Sequence, residues 1–233
     1  MPTTTNTIGK IWYLSKFNLF KGMTSQEMGM VEKMTTMQSF RKKEPIYIMG
    51  QPGKSVYLLK KGVVKISRIL PDGRELVLGL LKSGEIFGEL EAVNDEDRQA
   101  QAEAHDDVMI CVMNRNDFLR LMQSKPELGV RLSKIIGFRR RIIENKLENL
   151  IFKTIPQKLG ILLLDLAEQF GKKEPQGILI DLSLTHQDLA NLVAASRTTV
   201  TETLQAFKEQ GLIDIQSRRI RLVKPEALKS LSI

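Results

Sequence analysis

The sequence predicts an α+β chain in three structured parts: an antiparallel β-roll, a long helix and a winged helix-turn-helix. Three observations carry that reading. Near residue 40 the hydrophobic period changes from helical to strand-like, and turn signals then recur every ~8–12 residues. Beyond Asn116 apolar residues fall on one broad stripe at helical spacing. Two short amphipathic helices and a small hairpin close the chain. The expected division is a frayed tail over 1–14, the roll with flanking helices over 15–126, the long helix and hinge over 127–153, and the winged helix-turn-helix over 154–233.

The elements follow in order. Thr24-Ser25-Gln26-Glu27 has capping-box spacing and precedes Met28, Val31 and Met34 at helical intervals, so a short amphipathic helix starts there. Ile46 to Met49 reads as a strand ended by the turn Gly50-Gln51-Pro52-Gly53. Val56 to Leu59 and Val63 to Ser67 are strands joined at Gly62, and Pro71-Asp72-Gly73 is a further turn. Leu76 to Leu81, Glu85 to Phe87 and Val108 to Met113 continue the pattern.

On the long helix, Leu132, Ile135, Ile136, Ile142, Ile143, Leu147 and Leu150 share the stripe. A helix of this length needs a partner for such a face, because propensity alone stabilises little. A coiled-coil homodimer through those residues supplies one; packing on the chain's own roll is the competing reading. Pro156 marks a new helix start, Leu159 to Phe170 is strongly apolar, Gly171 to Pro175 reads as a loop, and Ile178 to Leu182 as a strand.

Composition narrows the function classes. The chain has 233 residues, 42% hydrophobic and 27% charged, with a formal net charge of +8. The basic excess sits in residues 115–153, where ten Lys and Arg face four Asp and Glu. Solvated helix edges account for Arg139-Arg140-Arg141, and a phosphate pocket or long-range guidance of DNA are the other uses open to them. The single cysteine, Cys111, excludes an intramolecular disulfide framework and any cluster needing several thiolates. His105 and His186 have no partner at ligand spacing, so no metal is expected. No run approaches the ~20 apolar residues that span a bilayer, and no signal-peptide pattern is present, which predicts a cytoplasmic protein without a membrane partner. No nucleophile–base pair or paired-carboxylate site can be assembled, so no enzyme is expected.

The C-terminal part carries the sharpest signal. Thr185-His186-Gln187-Asp188 has the spacing of a helix N-terminus, and Leu189, Leu192 and Val193 then face inward. Ala194-Ala195 allows close backbone approach, Ser196 is placed to cap the next helix, and Val200, Leu204 and Phe207 are its buried face. In a helix-turn-helix the second helix enters the major groove N-terminus first. Short polar side chains there let it lie close. Ser196, Thr198, Thr199 and Thr201 can donate to phosphates, Arg197 can chelate a guanine edge, and Glu202 can accept from a cytosine amino group. Thr185, His186 and Gln187, opening the first helix, complete the expected DNA contacts.

Three stretches add a resemblance: GQPGKSVYLLKKGVVKIS, LKSGEIFGEL and DRQAQA. In that order, followed by a long helix and a helix-turn-helix, they resemble the cyclic-AMP receptor protein / fumarate-nitrate regulator (CRP/FNR) superfamily of bacterial transcription regulators, from about residue 15 onward. The resemblance implies a cyclic-nucleotide-binding roll, a homodimer on a palindromic operator in double-stranded DNA, and a hinge that moves when the roll changes state. It also implies RNA polymerase contact for an activator. Phe87-Gly88-Glu89-Leu90 matches the family's phosphate cassette: Gly88 lets backbone amides reach a phosphate, Glu89 accepts from a ribose hydroxyl, and Arg98 pairs with the phosphate. Arg98-Gln99-Ala100 fits the Arg-x-Ala pattern with Gln99 in place of the usual serine or threonine. Arg139 aligns with a ligand-facing position, and Ile143 and Glu144 stand where cyclic-AMP-sensing members place hydroxyl residues.

The effector is left open between a cyclic nucleotide (cyclic AMP, cyclic GMP or cyclic di-GMP), another small molecule, and none. An iron–sulfur sensor lacks its thiolates, and a haem sensor lacks axial ligands in the cassette. In the recognition helix Thr198 stands where a glutamate is usual and Glu202 where an arginine is usual, which shifts the preferred base pairs. A nucleotide-responsive module that regulates a partner protein is the alternative from another class.

Overall fold

The computed structural model describes residues 18–231, so the tail expected over 1–14 lies outside the described residues. The chain forms two compact units, one ending at Arg140 and one starting at Arg141.

The first unit opens with a 3₁₀ turn at Asn18–Phe20 and helix α1 (Ser25–Lys33). The capping box at its start forms as the spacing predicts: Thr24 Oγ1 accepts from Glu27 N at 3.3 Å, and Glu27 Oε2 accepts from Thr24 N at 2.8 Å. Eight strands follow: β1 (Thr35–Phe40), β2 (Pro45–Tyr47), β3 (Ser55–Lys61), β4 (Val64–Ile69), β5 (Glu75–Leu81), β6 (Ile86–Phe87), β7 (Gln101–Ala104) and β8 (Val108–Asn114). Helix α2 (Glu89–Asn94) lies between β6 and β7. The strands pair antiparallel in two four-stranded sheets, ordered β1-β8-β3-β6 and β2-β7-β4-β5.

Strand period explains why the roll has two cores. Successive side chains of β3 point to opposite faces. Val56 and Leu58 pack with Cys111, Met113, Phe118 and Leu128, whereas Leu59 packs with Tyr47, Val64, Phe87 and Ile110. Helices α3 (Arg115–Ser124) and α4 (Pro126–Phe152) cover the first of these cores. Truncating Leu58 or Leu59, which are 1% and 0% exposed, would cost ~2–5 kcal/mol.

Three roll elements were not legible as such. β1 has a polar sequence, TTMQSF. In β7 small alanines carry the alternation: Ala102 and Ala104 are fully buried, and Glu103 between them pairs with Lys65 at 3.2 Å. Alanine carries little strand propensity, so its pattern does not stand out. Helix α2 is six residues long, too short for a periodic signal.

The long helix departs from its expected role at one end. Leu132 is 7% exposed and belongs to the roll's own core, and Ile135 and Ile136 pack partly against that core. Ile142, Ile143 and Leu147, further along α4, are 47%, 58% and 57% exposed.

The second unit carries α5 (Ile155–Phe170), β9 (Gly171–Glu174), β10 (Gly177–Ile180), α6 (His186–Val193), α7 (Arg197–Glu209), β11 (Ile213–Gln216), β12 (Arg219–Leu222) and α8 (Pro225–Leu231). Pro156 occupies the first turn of α5, where its missing N–H costs nothing. The segment read as a loop from Gly171 is instead strand β9, pairing with β10 in a sheet ordered β11-β12-β10-β9. Lysines and a glutamate in an edge strand hide its period.

Candidate functional site

Two groups of functional side chains are built by these units. In the roll, β6 delivers Phe87 and Gly88 into the start of α2. Gly88 adopts φ +73°, and a Cβ there would come within 2.7 Å of Arg98 Nη1 and 3.0 Å of Tyr57, so both the backbone angle and the space demand glycine. Arg98 is 2% exposed. Its Nη1 donates to Gly88 O at 2.8 Å and Glu91 Oε2 at 3.2 Å, and its Nη2 donates to Ser55 O. The guanidinium lies 4.4 Å from the centre of the Tyr47 ring, a cation–π contact. Tyr57 stacks on Phe87 at 5.1 Å and completes an aromatic wall with Tyr47.

Glu89 is 3% exposed and paired with Arg139 of α4 at 2.9 Å. Arg139 also donates to Ile86 O and lies 3.7 Å from Glu85. Burial pushes the Glu89 carboxyl above the usual carboxylate range, and the Arg139 charge beside it offsets part of that rise. Burial, with Glu91 adding to it, holds the Tyr47 hydroxyl well above the ordinary tyrosine range.

Of the expected effector residues, the fold thus brings Phe87, Gly88, Glu89, Arg98 and Arg139 together. Leu90 is 50% exposed. Gln99 is exposed, its side chain bonded to Asp97 O at 3.1 Å and its carbonyl accepting from Arg68. Ile143 and Glu144 lie on the part of α4 in the second unit, both exposed. Sequence reasoning missed Tyr47, Tyr57 and Glu91. The tyrosines could have been found from their place on apolar strands; Glu91 carried no signal.

The second group is the helix-turn-helix. Thr185 caps α6 in a box with Asp188, whose Oδ2 accepts from Thr185 N at 2.8 Å. The turn is Ala194 to Ser196, with Ala194 left-handed at φ +53°. Ser196 Oγ then accepts from Thr199 N at 3.1 Å as the cap of α7. The hydroxyls sort into two classes. Ser196 bonds Thr199 at 2.8 Å, and Thr203, buried, donates to Thr199 O. Thr201 donates its one proton to Arg197 O at 2.8 Å, so in its 2.8 Å contact with His186 the Nδ1 of the imidazole must be the donor. That bond braces α6 against α7.

What remains open is Arg197, Thr198 and Glu202, all exposed, whose side chains have no partner among the described residues. Gln187 is held by Asn191 at 2.8 Å. A groove lined by Thr185, His186, Gln187, Arg197 and Arg218 gathers both helix starts with the wing tip. The wing turns at Ser217 and Arg218, left-handed at φ +49° and +65°, the backbone of a two-residue hairpin. Arg218, exposed beside Arg197, is a cation that sequence reading left out of the site.

The comparisons with known proteins agree with this geometry. A cyclic nucleotide-binding domain model matches residues 37–125, and a Crp-like helix-turn-helix domain model matches residues 157–231. The chain is 32% identical over 205 residues to a global nitrogen regulator of Synechococcus elongatus, covering 87% of this chain and 92% of that one. The chain belongs to the CRP/FNR family of transcription regulators. This CRP/FNR regulator is also 29% identical over 215 residues to a CRP-like cAMP-activated global transcriptional regulator of Mycobacterium tuberculosis, covering 92% and 96% of the two chains. A solved CRP-family transcriptional regulator of Thermus thermophilus matches with a TM-score of 0.73 at 26% identity, over 84% of this chain and 96% of that one. As a CRP/FNR member the chain is a DNA-binding regulator of transcription. Among the described residues no helix is long and apolar enough to cross a membrane, and no group of three or more His, Cys, Asp or Glu is placed to hold a metal ion.

Proposed function

We propose that the chain acts as a homodimer on a palindromic operator, with the roll as its sensor. The observation that carries this reading is the open set Arg197, Thr198 and Glu202 at the start of α7, unpartnered in a helix whose other hydroxyls are engaged. Arg197 reads guanine and Glu202 accepts from cytosine. Thr185, Gln187 and Ser196 contact phosphates together with His186 and the wing's Arg218, while Thr199 and Thr201 hold the motif's shape. The dimer seam runs through Ile142, Ile143, Leu147 and Leu150 of α4, flanked by Ile135 and Ile136. Phe138, 59% exposed, joins it. Residues 127–153 serve as dimerisation helix and hinge. Relatives of this family act in this way, which supports the dimer and the operator.

The effector set in this reading is Phe87, Gly88, Glu89, Leu90, Arg98, Gln99 and Arg139. Cyclic AMP, cyclic GMP and cyclic di-GMP are the nucleotides to test, because the roll matches a cyclic nucleotide-binding model and one relative is cAMP-activated. An effector-independent regulator is the second reading, favoured by the internal satisfaction of Arg98. The regulator works in the cytoplasm, catalyses nothing, and touches RNA polymerase where it activates. Affinity selection of genomic fragments, with Arg197→Ala as control, tests the reading: enrichment of a palindromic sequence by the wild type alone supports it, and no enrichment refutes it.

A further inference from the structure

The roll's charged cluster is complete before any ligand arrives. Glu85, Glu89 and Glu91 face Arg98 and Arg139, so the carboxylates outnumber the guanidiniums. Arg98 is the cation a ligand phosphate would need, and Glu91 already sits on it at 3.2 Å, with side chains 1% and 14% exposed. Arg98 has little freedom to turn to a second anion: Gly88 O and Ser55 O hold its terminal nitrogens and Tyr47 lies against its face.

We propose that Glu91 decides which ligands the roll admits: its carboxylate holds the place on Arg98 that a ligand phosphate would take, and the site selects a neutral or cationic effector over an anionic one. This rests on the reading of the roll as the sensor. A phosphate brought to Arg98 would share one guanidinium with Glu91, and two anions in a poorly hydrated site repel strongly. The phosphate would also add negative charge to a cluster that already has a surplus. Gly88 and Glu89 keep the cassette's sequence, and Glu91, two positions after Glu89, changes what that site can hold.

Glu91→Gln keeps the side chain's shape and an oxygen for Arg98 while removing the charge. Calorimetric titration of the full chain with cyclic AMP, with cyclic GMP, and with adenosine as the phosphate-free comparison tests the proposal. The variant should bind a cyclic nucleotide at least about tenfold more tightly than the wild type, with adenosine binding unchanged. Equal affinity of wild type and variant for the cyclic nucleotides, or no binding by either, overturns it. Glu91→Ala, with the same expected gain, guards against a variant that fails to fold, and thermal melting of each checks this. Operator binding measured on the same samples separates the two readings. Intact DNA binding without the nucleotide gain counts against Glu91, whereas absent DNA binding counts against the proposed function.

Discussion

The roll and the helix-turn-helix treat their arginines in opposite ways. Arg98 is buried, and its terminal nitrogens are bonded to Gly88 O, Ser55 O and Glu91. Arg197 is exposed at the first position of α7, and its side chain has no partner among the described residues. A satisfied polar group must be taken from its partners by an incoming ligand, so any gain is a difference between two well-bonded states. An unsatisfied exposed one exchanges only water. The contrast predicts a sensor that responds selectively and a DNA face that is ready to bind.

The largest expected effect breaks the proposed dimer. Ile142→Asp with Leu147→Asp places carboxylates in the apolar seam, and an unpaired buried charge is costly. Sedimentation should show a monomer, with operator affinity reduced at least about 100-fold. Arg197→Ala comes next. It should cost ~1–3 kcal/mol per half-site and abolish preference at the contacted guanine, while salt-dependent non-specific binding persists; fluorescence anisotropy on matched and mismatched duplexes reads both. On the roll side, Gly88→Ala forces a side chain into the left-handed region against Arg98 and should lower roll stability by ~1–3 kcal/mol in denaturant unfolding.

Two smaller effects sharpen the contrast. Thr201→Val removes the brace to His186 and should weaken operator binding by about 1 kcal/mol without changing base preference. A changed preference would make Thr201 a reading residue. Glu89→Gln tests the buried carboxyl. Its folded value is raised, so between the unfolded and folded values the native roll holds the extra proton, and stability rises as pH falls through that interval. Thermal midpoints of the wild type should therefore climb from neutral pH into the carboxylate range more than those of the variant.

Legibility in the sequence followed the length and chemistry of each signal. The capping boxes at Thr24 and Thr185 and the cap at Ser196 could be read because a few residues at fixed spacing make the bonds locally. β3 and β8 were visible in their apolar runs. β7 was not, since Ala102 and Ala104 do the work of larger residues beside the strand's polar positions. The stripe on α4 was visible, but its division was not. Helical spacing places Leu132 and Leu147 on similar faces, and only the position of the roll decides that the first is core and the second exposed. Glu89 and Arg98 were found through the cassette they resemble. Glu91 was invisible because α2 ends at Asn94, before Arg98 is reached, so no helical spacing links the two.

Footprinting the purified protein on its selected DNA tests the central claim most directly. Two protected half-sites about one helical turn (~34 Å) apart, related by a dyad, are expected, with protection falling steeply as salt rises. A single protected site without symmetry, or none on any selected fragment, would contradict it.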